Sequence, residues 1–342
     1  MSDDFLRLSV QDRADILQTA AGELGFTAQV LEKDAWVCWS LDKLFSLPNA
    51  HAMAFKGGTS LSKIWRAIDR FSEDIDITVD YRSFGVGFDH AQGRGSRSEQ
   101  DRINAALRAG LADYLEGTVV PYLRDALGDQ LSDEAFNISL EEDGETVLLA
   151  YPSAVTTTNP YIPTTIKLEF GARNTLDPSA SHRVSSYLVD AKGVSGVHFP
   201  VAMDVTTLAV ERTFWEKVIL IHDACMRDAS VARAERMSRH WYDLAMLMER
   251  GTVDLSALLA DDSLFREIID LKNVFYYRAS SEYERCMTGQ LQLVPDEMLR
   301  EALSTDFQEM RDHQLVVSPL PDFEAILHLV RGVEVSINEH YS

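Results

Sequence analysis

The sequence predicts a mixed α/β (α+β) fold in two parts, a mixed first domain over residues 1–205 and a mainly helical C-terminal domain over residues 206–342. Short strand-like stretches alternate with helical ones in the first part, and from Leu208 onward apolar residues recur at helical intervals. A length of 342 residues with 46% hydrophobic and 25% charged content fits a globular chain of about two domains.

Residues 4–48 read as helical. VLEKDAWVCWSLDKLF places Val30, Val37, Leu41 and Leu44 at helical intervals, with Trp36 and Trp39 beside them. HAMAF is a short apolar strand, GGTS interrupts it, and SLSKIWRAI sets Leu61, Ile64, Trp65 and Ile68 on one helical side. In DIDITVD, Ile75, Ile77 and Val79 alternate with Asp74, Asp76, Thr78 and Asp80, the period of a half-buried strand. The polar, glycine-rich stretch at 85–100 reads as a mobile loop, and INAALRAGLADYLEGTVVPYLRDAL as helical. FNISL, TVLLAYP, TTIKLEF and SSYLV then suggest strands. Helices follow in ERTFWEKVILIHDACM, SRHWYDLAMLME, LFREIIDLKNVFYYR and FEAILHLVRGVEVSI.

Composition excludes several classes. The net charge of -22 argues against a general nucleic-acid binder, since phosphate contacts need locally positive surface. Two arginine-rich stretches remain as local candidates: Arg94, Arg97, Arg102 and Arg108, and Arg212, Lys217, Arg227, Arg233, Arg236 and Arg239. No apolar run approaches the ~20 residues of a membrane span, and the start MSDDFLRLSV is unlike a signal peptide, so no membrane partner is expected. Cys38, Cys225 and Cys286 lie far apart, and a reducing cytoplasm is the expected setting.

The chemistry concentrates in FKGGTSLSKIWRAIDRFSEDIDITVD. Residues two apart on a strand share a face, so Asp74 and Asp76 point the same way and repel unless a cation lies between them. Mg²⁺ held by carboxylates together with substrate phosphates meets that need. Upstream, Gly57 and Gly58 permit close backbone approach, and Thr59 and Ser60 stand where a helix begins and N–H groups favour phosphate. A phosphate cradle followed by a metal-binding strand is the chemistry of nucleotide polyphosphates.

With FKGGTS followed by RFSEDID, and LEKDAWV upstream, this stretch resembles the signature of the AbiEii/AbiGii nucleotidyltransferase toxins, a branch of the DNA polymerase β-type superfamily. The resemblance implies a polymerase-β-like mixed sheet flanked by helices. It also implies further motifs, each with a match here. Lys167 and Glu169 in IKLEF match its K-x-D/E motif, which makes Glu169 the third metal ligand; Lys167 either orients Glu169 or contacts phosphate. Thr213, Glu216 and Lys217 stand nearest to its third motif, with departed spacing, and Lys217 matches the lysine implied to hold the triphosphate. Arg239, Tyr242, Asp243 and Leu244 match the last motif, although His240 replaces the aspartate that many members carry after the arginine. Asp243 is carried over as a catalytic residue. Arg239 and Asp243, four apart on a helix, also suit a structural ion pair.

The expected protein is thus a Mg²⁺-dependent (or Mn²⁺-dependent) enzyme that transfers a nucleotide from an NTP and releases pyrophosphate. Asp74, Asp76 and Glu169 are its expected metal ligands; Gly57, Gly58, Thr59, Ser60, Lys167 and Lys217 are its expected nucleotide contacts. The resemblance further implies a toxin with an antitoxin encoded nearby and a tRNA 3′ end as the first acceptor to test. A protein side chain as acceptor, and an NTP-binding module without turnover, are the alternatives. His222 and Asp223 lack a third ligand at metal spacing, and KNVFYYR suits core packing better than base stacking.

Overall fold

A computed structural model describes residues 3–90, 93, 95–131, 136–156, 159, 162–227, 235–277, 281–312 and 321–342. Arg94, Arg233 and Arg278 lie outside the described residues. The chain divides into two compact units. The first comprises Met1–Ile64, Phe71–Val86 and Ala105–Leu208; the second comprises Trp65–Arg70, Gly87–Asn104 and Ala209–Ser342.

In the first unit a short strand β1 (Asp3–Asp4) precedes helices α1 (Val10–Leu24) and α2 (Ala28–Phe45). The stretch read as continuous helix therefore breaks. Ser9 caps α1 by accepting from the Asp12 N–H at 3.1 Å, Gly25 ends it in the left-handed region at φ 75°, and Thr27 caps α2. Strand β2 (Met53–Lys56) runs directly into a short helix α3 (Gly57–Lys63), followed by β3 (Ile75–Asp80). The helix expected over SLSKIWRAI thus starts earlier and ends sooner. Arg66 takes a positive φ of 50°, which a continuing helix does not allow, and Trp65–Arg70 joins the second unit.

Helix α4 (Arg97–Tyr114) passes through a π-helical turn at Leu115–Val119 into α5 (Val120–Gly128). Strands β4 (Asn137–Leu140), β5 (Thr146–Ala150) and β6 (Thr165–Asn174) follow, then β7 (Ser179–Ser185), β8 (Val197–His198) and β9 (Val201–Leu208). SSYLV is not a strand: Tyr187–Asp190 forms one 3₁₀ turn capped by Ser186. The strand lies just before it, in the polar SASHRVS.

Among the described residues seven strands form one mixed sheet in the order β4-β5-β6-β3-β2-β9-β7; β3 is parallel to β6 and β2 is parallel to β9. β1 and β8 pair separately. Ile75, Ile77 and Val79 on β3 and Ile166 and Leu168 on β6 are fully buried in the same apolar cluster as Trp36, Leu41 and Leu44 of α2. Trp36 stacks on Tyr151 with ring centroids 5.2 Å apart. The alternation seen in the sequence thus seats one face of β3 in the core and leaves the other for the carboxylates.

The second unit is helical after Ala209, with α6 (Val210–Cys225), α7 (Ser238–Glu249), α8 (Leu255–Ala260), α9 (Ser263–Phe275), α10 (Glu297–Asp312) and α11 (Phe323–His340). Trp215 of α6 stacks on Phe265 of α9 at 4.0 Å, and the Trp241 ring N–H of α7 donates to the Leu293 carbonyl at 2.9 Å. Phe275 of KNVFYYR is buried in this unit. The Trp65–Arg70 segment is fixed here as well: the Asp69 N–H donates to the Tyr242 hydroxyl at 3.2 Å, and Arg250 donates to the Arg66 carbonyl at 3.0 Å. No described helix is long and apolar enough to cross a membrane.

Because Ile77 is fully buried at the centre of the sheet, Ile77→Ala is expected to cost about 2–5 kcal/mol in urea denaturation. Ala52→Ser, at an exposed position before β2, should change stability by under ~0.5 kcal/mol.

Candidate active site

The first unit gathers eight of the ten residues singled out in the sequence. β3 is flanked by β2 and β6, so Asp76 has Lys56 as its register partner on one side and Glu169 on the other. Register partners share a sheet face, which sets Lys56, Asp76 and Glu169 in one row, with Thr146 of β5 next to Glu169. Lys56 was not foreseen. Its signal was its place immediately before the glycine pair.

Asp74 stands one residue before β3, and its carbonyl accepts from the Thr59 hydroxyl at 2.5 Å. The Ser60 hydroxyl donates to the Gly57 carbonyl at 2.8 Å. Both hydroxyl protons of the GGTS turn are therefore spent on shaping it and on holding the entry to β3. Gly57 has φ 76°, and a Cβ there would lie 1.9 Å from Asp76 Oδ2. The Asp76 carboxylate thus occupies the space that any side chain at position 57 would need.

Lys167 and Glu169 form a salt bridge along β6. Among the described residues no three His, Cys, Asp or Glu side chains are gathered closely enough to chelate a metal. The donor chemistry nevertheless suits a hard divalent cation, since Asp74, Asp76 and Glu169 offer only carboxylate oxygens, and Asp76 and Glu169 are paired in register.

Three charged side chains of α2, unassigned in the sequence reading, hold the surrounding segments. Glu32 accepts from the Ser153 hydroxyl at 2.5 Å and the Ala154 N–H at 2.6 Å. Lys33 lies 2.8 Å from Glu73 Oε2 and donates to the Pro163 carbonyl at 2.9 Å. Asp34 pairs with Lys63 at 2.5 Å and accepts from the Tyr187 N–H at 2.6 Å. Burial alone pulls the Lys63 ammonium down, but Asp34, with Cys38 and Tyr187, holds its pKa above the ordinary value.

The remaining two, Lys217 and Asp243, meet in the second unit. Asp243 is fully buried, and its two oxygens accept from Arg70 Nε at 2.7 Å and Arg70 Nη2 at 2.8 Å. Oδ2 also accepts from Lys217 Nζ at 2.8 Å. Burial pushes the Asp243 carboxyl up, yet Arg70 and Lys217 outweigh it and hold its pKa far below the usual range. Lys217 shares this single carboxylate with Arg70, and burial lowers its own pKa. His240 stands beside Lys217 and Arg239; burial and these cations push its pKa well down, so it is neutral where an aspartate would add charge.

The third-motif residues are also engaged. Thr213 bonds back to the Ala209 carbonyl at 3.4 Å, and Glu216 lies 3.4 Å from the fully buried Arg212. Two cations of the second arginine-rich stretch, Arg212 and Lys217, are thus buried and ion-paired rather than spread on a basic surface. His222 is structural, its Nδ1 accepting from the Gln292 N–H at 3.0 Å.

A family model described as "Nucleotidyl transferase AbiEii toxin, Type IV TA system" matches residues 40–329. No curated protein matches the chain significantly. Seven chains of solved structures match; one is the nucleotidyltransferase toxin MenT4 from Mycobacterium tuberculosis H37Rv, at 16% identity and TM-score 0.39 over 94% of this chain and 99% of that one.

Asp243→Asn is expected to leave two buried cations uncompensated and to cost about 3–5 kcal/mol in urea denaturation at pH 7. The folded-state pKa of Asp243 lies below its ordinary 3.8, so its stabilisation is complete above that value and is lost as pH falls through the folded value. Between pH 5 and pH 2 the Asn variant should therefore lose less stability than the parent; equal losses would show that Asp243 is not ionised in the fold.

Proposed function

The chain belongs to the AbiEii family of nucleotidyltransferase toxins of type IV toxin–antitoxin systems, and on that premise we propose a Mg²⁺-dependent transfer of a nucleotide from an NTP, GTP among the candidates, to an acceptor hydroxyl. The observation that carries the reading is the register of Asp76 against Glu169, with Gly57 lacking a Cβ beneath the Asp76 carboxylate. Asp74, Asp76 and Glu169 are the proposed metal ligands. Mg²⁺, or Mn²⁺ in its place, when bound neutralises phosphate charge and lowers the pKa of the acceptor hydroxyl.

The protein's own groups do the rest. Gly57 and Gly58 admit the triphosphate close to the backbone, while Thr59 and Ser60 keep the turn in shape and hold Asp74 in place. Lys167 orients Glu169 and offers a cation to the phosphates. In the second unit, Asp243 fixes the ammonium of Lys217, the lysine proposed to bind the triphosphate. The acceptor oxygen forms a bond to the α-phosphorus, the bond from that phosphorus to the bridging oxygen breaks, and pyrophosphate leaves. The hydroxyl proton passes to a carboxylate among Asp74, Asp76 and Glu169.

A type IV toxin implies an NTP substrate and an antitoxin partner. The tRNA 3′ end is the acceptor proposed first. The net charge of -22 favours a second reading, a protein side chain, because an acidic exterior repels RNA but accepts a basic protein.

Asp76→Ala should abolish labelling from α-labelled NTP with the fold retained, and a variant that still labels total RNA or protein would overturn the assignment. Gly57→Ala should reduce transfer by about 100-fold, since its Cβ displaces the Asp76 carboxylate. Lys217→Ala should raise the KM for NTP in preparations shown by circular dichroism to be folded. Label in the RNA fraction selects the tRNA reading, and label in the protein fraction selects the second.

A further inference from the structure

Glu32, Lys33 and Asp34 follow one another on α2, and each is only 1% exposed. Successive helical residues point about 100° apart, so three in a row cannot serve one packing face. Burying each ion is costly before its partner is counted. The three side chains reach different segments of the first unit: Glu32 the Ser153–Ala154 turn, Asp34 the end of α3 and Tyr187, and Lys33 the approaches to β3 and β6.

Lys33 differs from its neighbours in what it joins. Its ammonium is an ion-pair partner of Glu73, the residue before Asp74, and it also donates to the Pro163 carbonyl on the approach to β6. One cation thus spans the entries to the two parallel strands whose Asp76 and Glu169 are register partners. The Thr59 hydroxyl donates to the Asp74 carbonyl, so Glu73–Asp74 is held by both a side-chain cation and a hydroxyl. Both members of the pair are buried, with side-chain exposures of 2% and 8%. A packing role alone has a cheaper solution, because apolar residues of similar volume often replace a buried ion pair at no loss of stability.

We propose that Lys33, through its pair with Glu73 and its bond to Pro163, is a positioning residue that sets the spacing of Asp74 and Asp76 against Glu169 for a divalent cation. The inference rests on the metal-site reading above. Lys33 does not touch substrate; it acts through the segments that bear the ligands.

The test separates spacing from stability. Mn²⁺ alone is titrated into the full-length protein, followed by the loss of the free-ion electron paramagnetic resonance signal, with thermal melts in parallel. The double variant Lys33→Met with Glu73→Leu removes both charges together. It should melt near the parent and bind Mn²⁺ about 10- to 100-fold more weakly, the usual cost of losing a group that orients metal ligands. Lys33→Arg, which keeps the charge but alters its reach, should fall between. A folded double variant with parental Mn²⁺ affinity overturns the inference and leaves the metal reading standing. A parent that binds no Mn²⁺, or binds it unchanged in Asp76→Ala, overturns the metal reading and the inference with it. Should the double variant fail to fold, Lys33→Arg decides: weakened Mn²⁺ binding at a parental melting temperature supports the positioning role, and unchanged binding overturns it.

Discussion

The site depends on the register of β3. Strand side chains alternate with a period of two, so a slip of one residue against β6 would carry Asp76 into the core and bring Ile75 or Ile77 out of it. The apolar face prevents that slip, because Ile75, Ile77 and Val79 are all fully buried. Hydrophobic burial therefore does more than stabilise the unit. It fixes which carboxylate lies beside which, and it sets Lys56, Asp76 and Glu169 in a single row across three strands.

Legibility in the sequence follows this division. β3 and β6 were readable because apolar and polar residues alternate along them, with Ile75, Ile77 and Val79, and Ile166 and Leu168, all fully buried on one face. β9 was not: Met203 and Asp204 are consecutively exposed where the register with β7 shifts, and such an irregularity destroys the period-two pattern. β7 is a polar edge strand in which only Val184 is buried, so no apolar signal marks it. The helix after GGTS was misplaced for another reason. Ile64, Trp65 and Ile68 sit at helical spacing, but tertiary packing takes Trp65–Arg70 into the second unit.

The candidate residues show the same limit. GGTS, DID and KLE were legible as short-range motifs, since each is contiguous in sequence. What holds them was not. Arg70 reaches Asp243 across 173 positions, and Lys33 reaches the Pro163 carbonyl across 130. A single chain gives no pairing information at such separations, and a buried lysine looks like any surface lysine until its neighbours are known. LEKDAWV added to the resemblance, yet nothing local in it says that its three charges are buried.

The polar edge at β7 has a consequence of its own. A seven-stranded sheet that ended in an apolar strand would offer a template on which another chain could add a strand. Here the last strand presents Ser179, Ser181 and Arg183 to solvent, directly after Pro178, and the protein carries a strong net negative charge. An incoming strand would therefore meet a polar margin on a chain of net charge -22. At this margin the side chains themselves disfavour edge-to-edge strand addition.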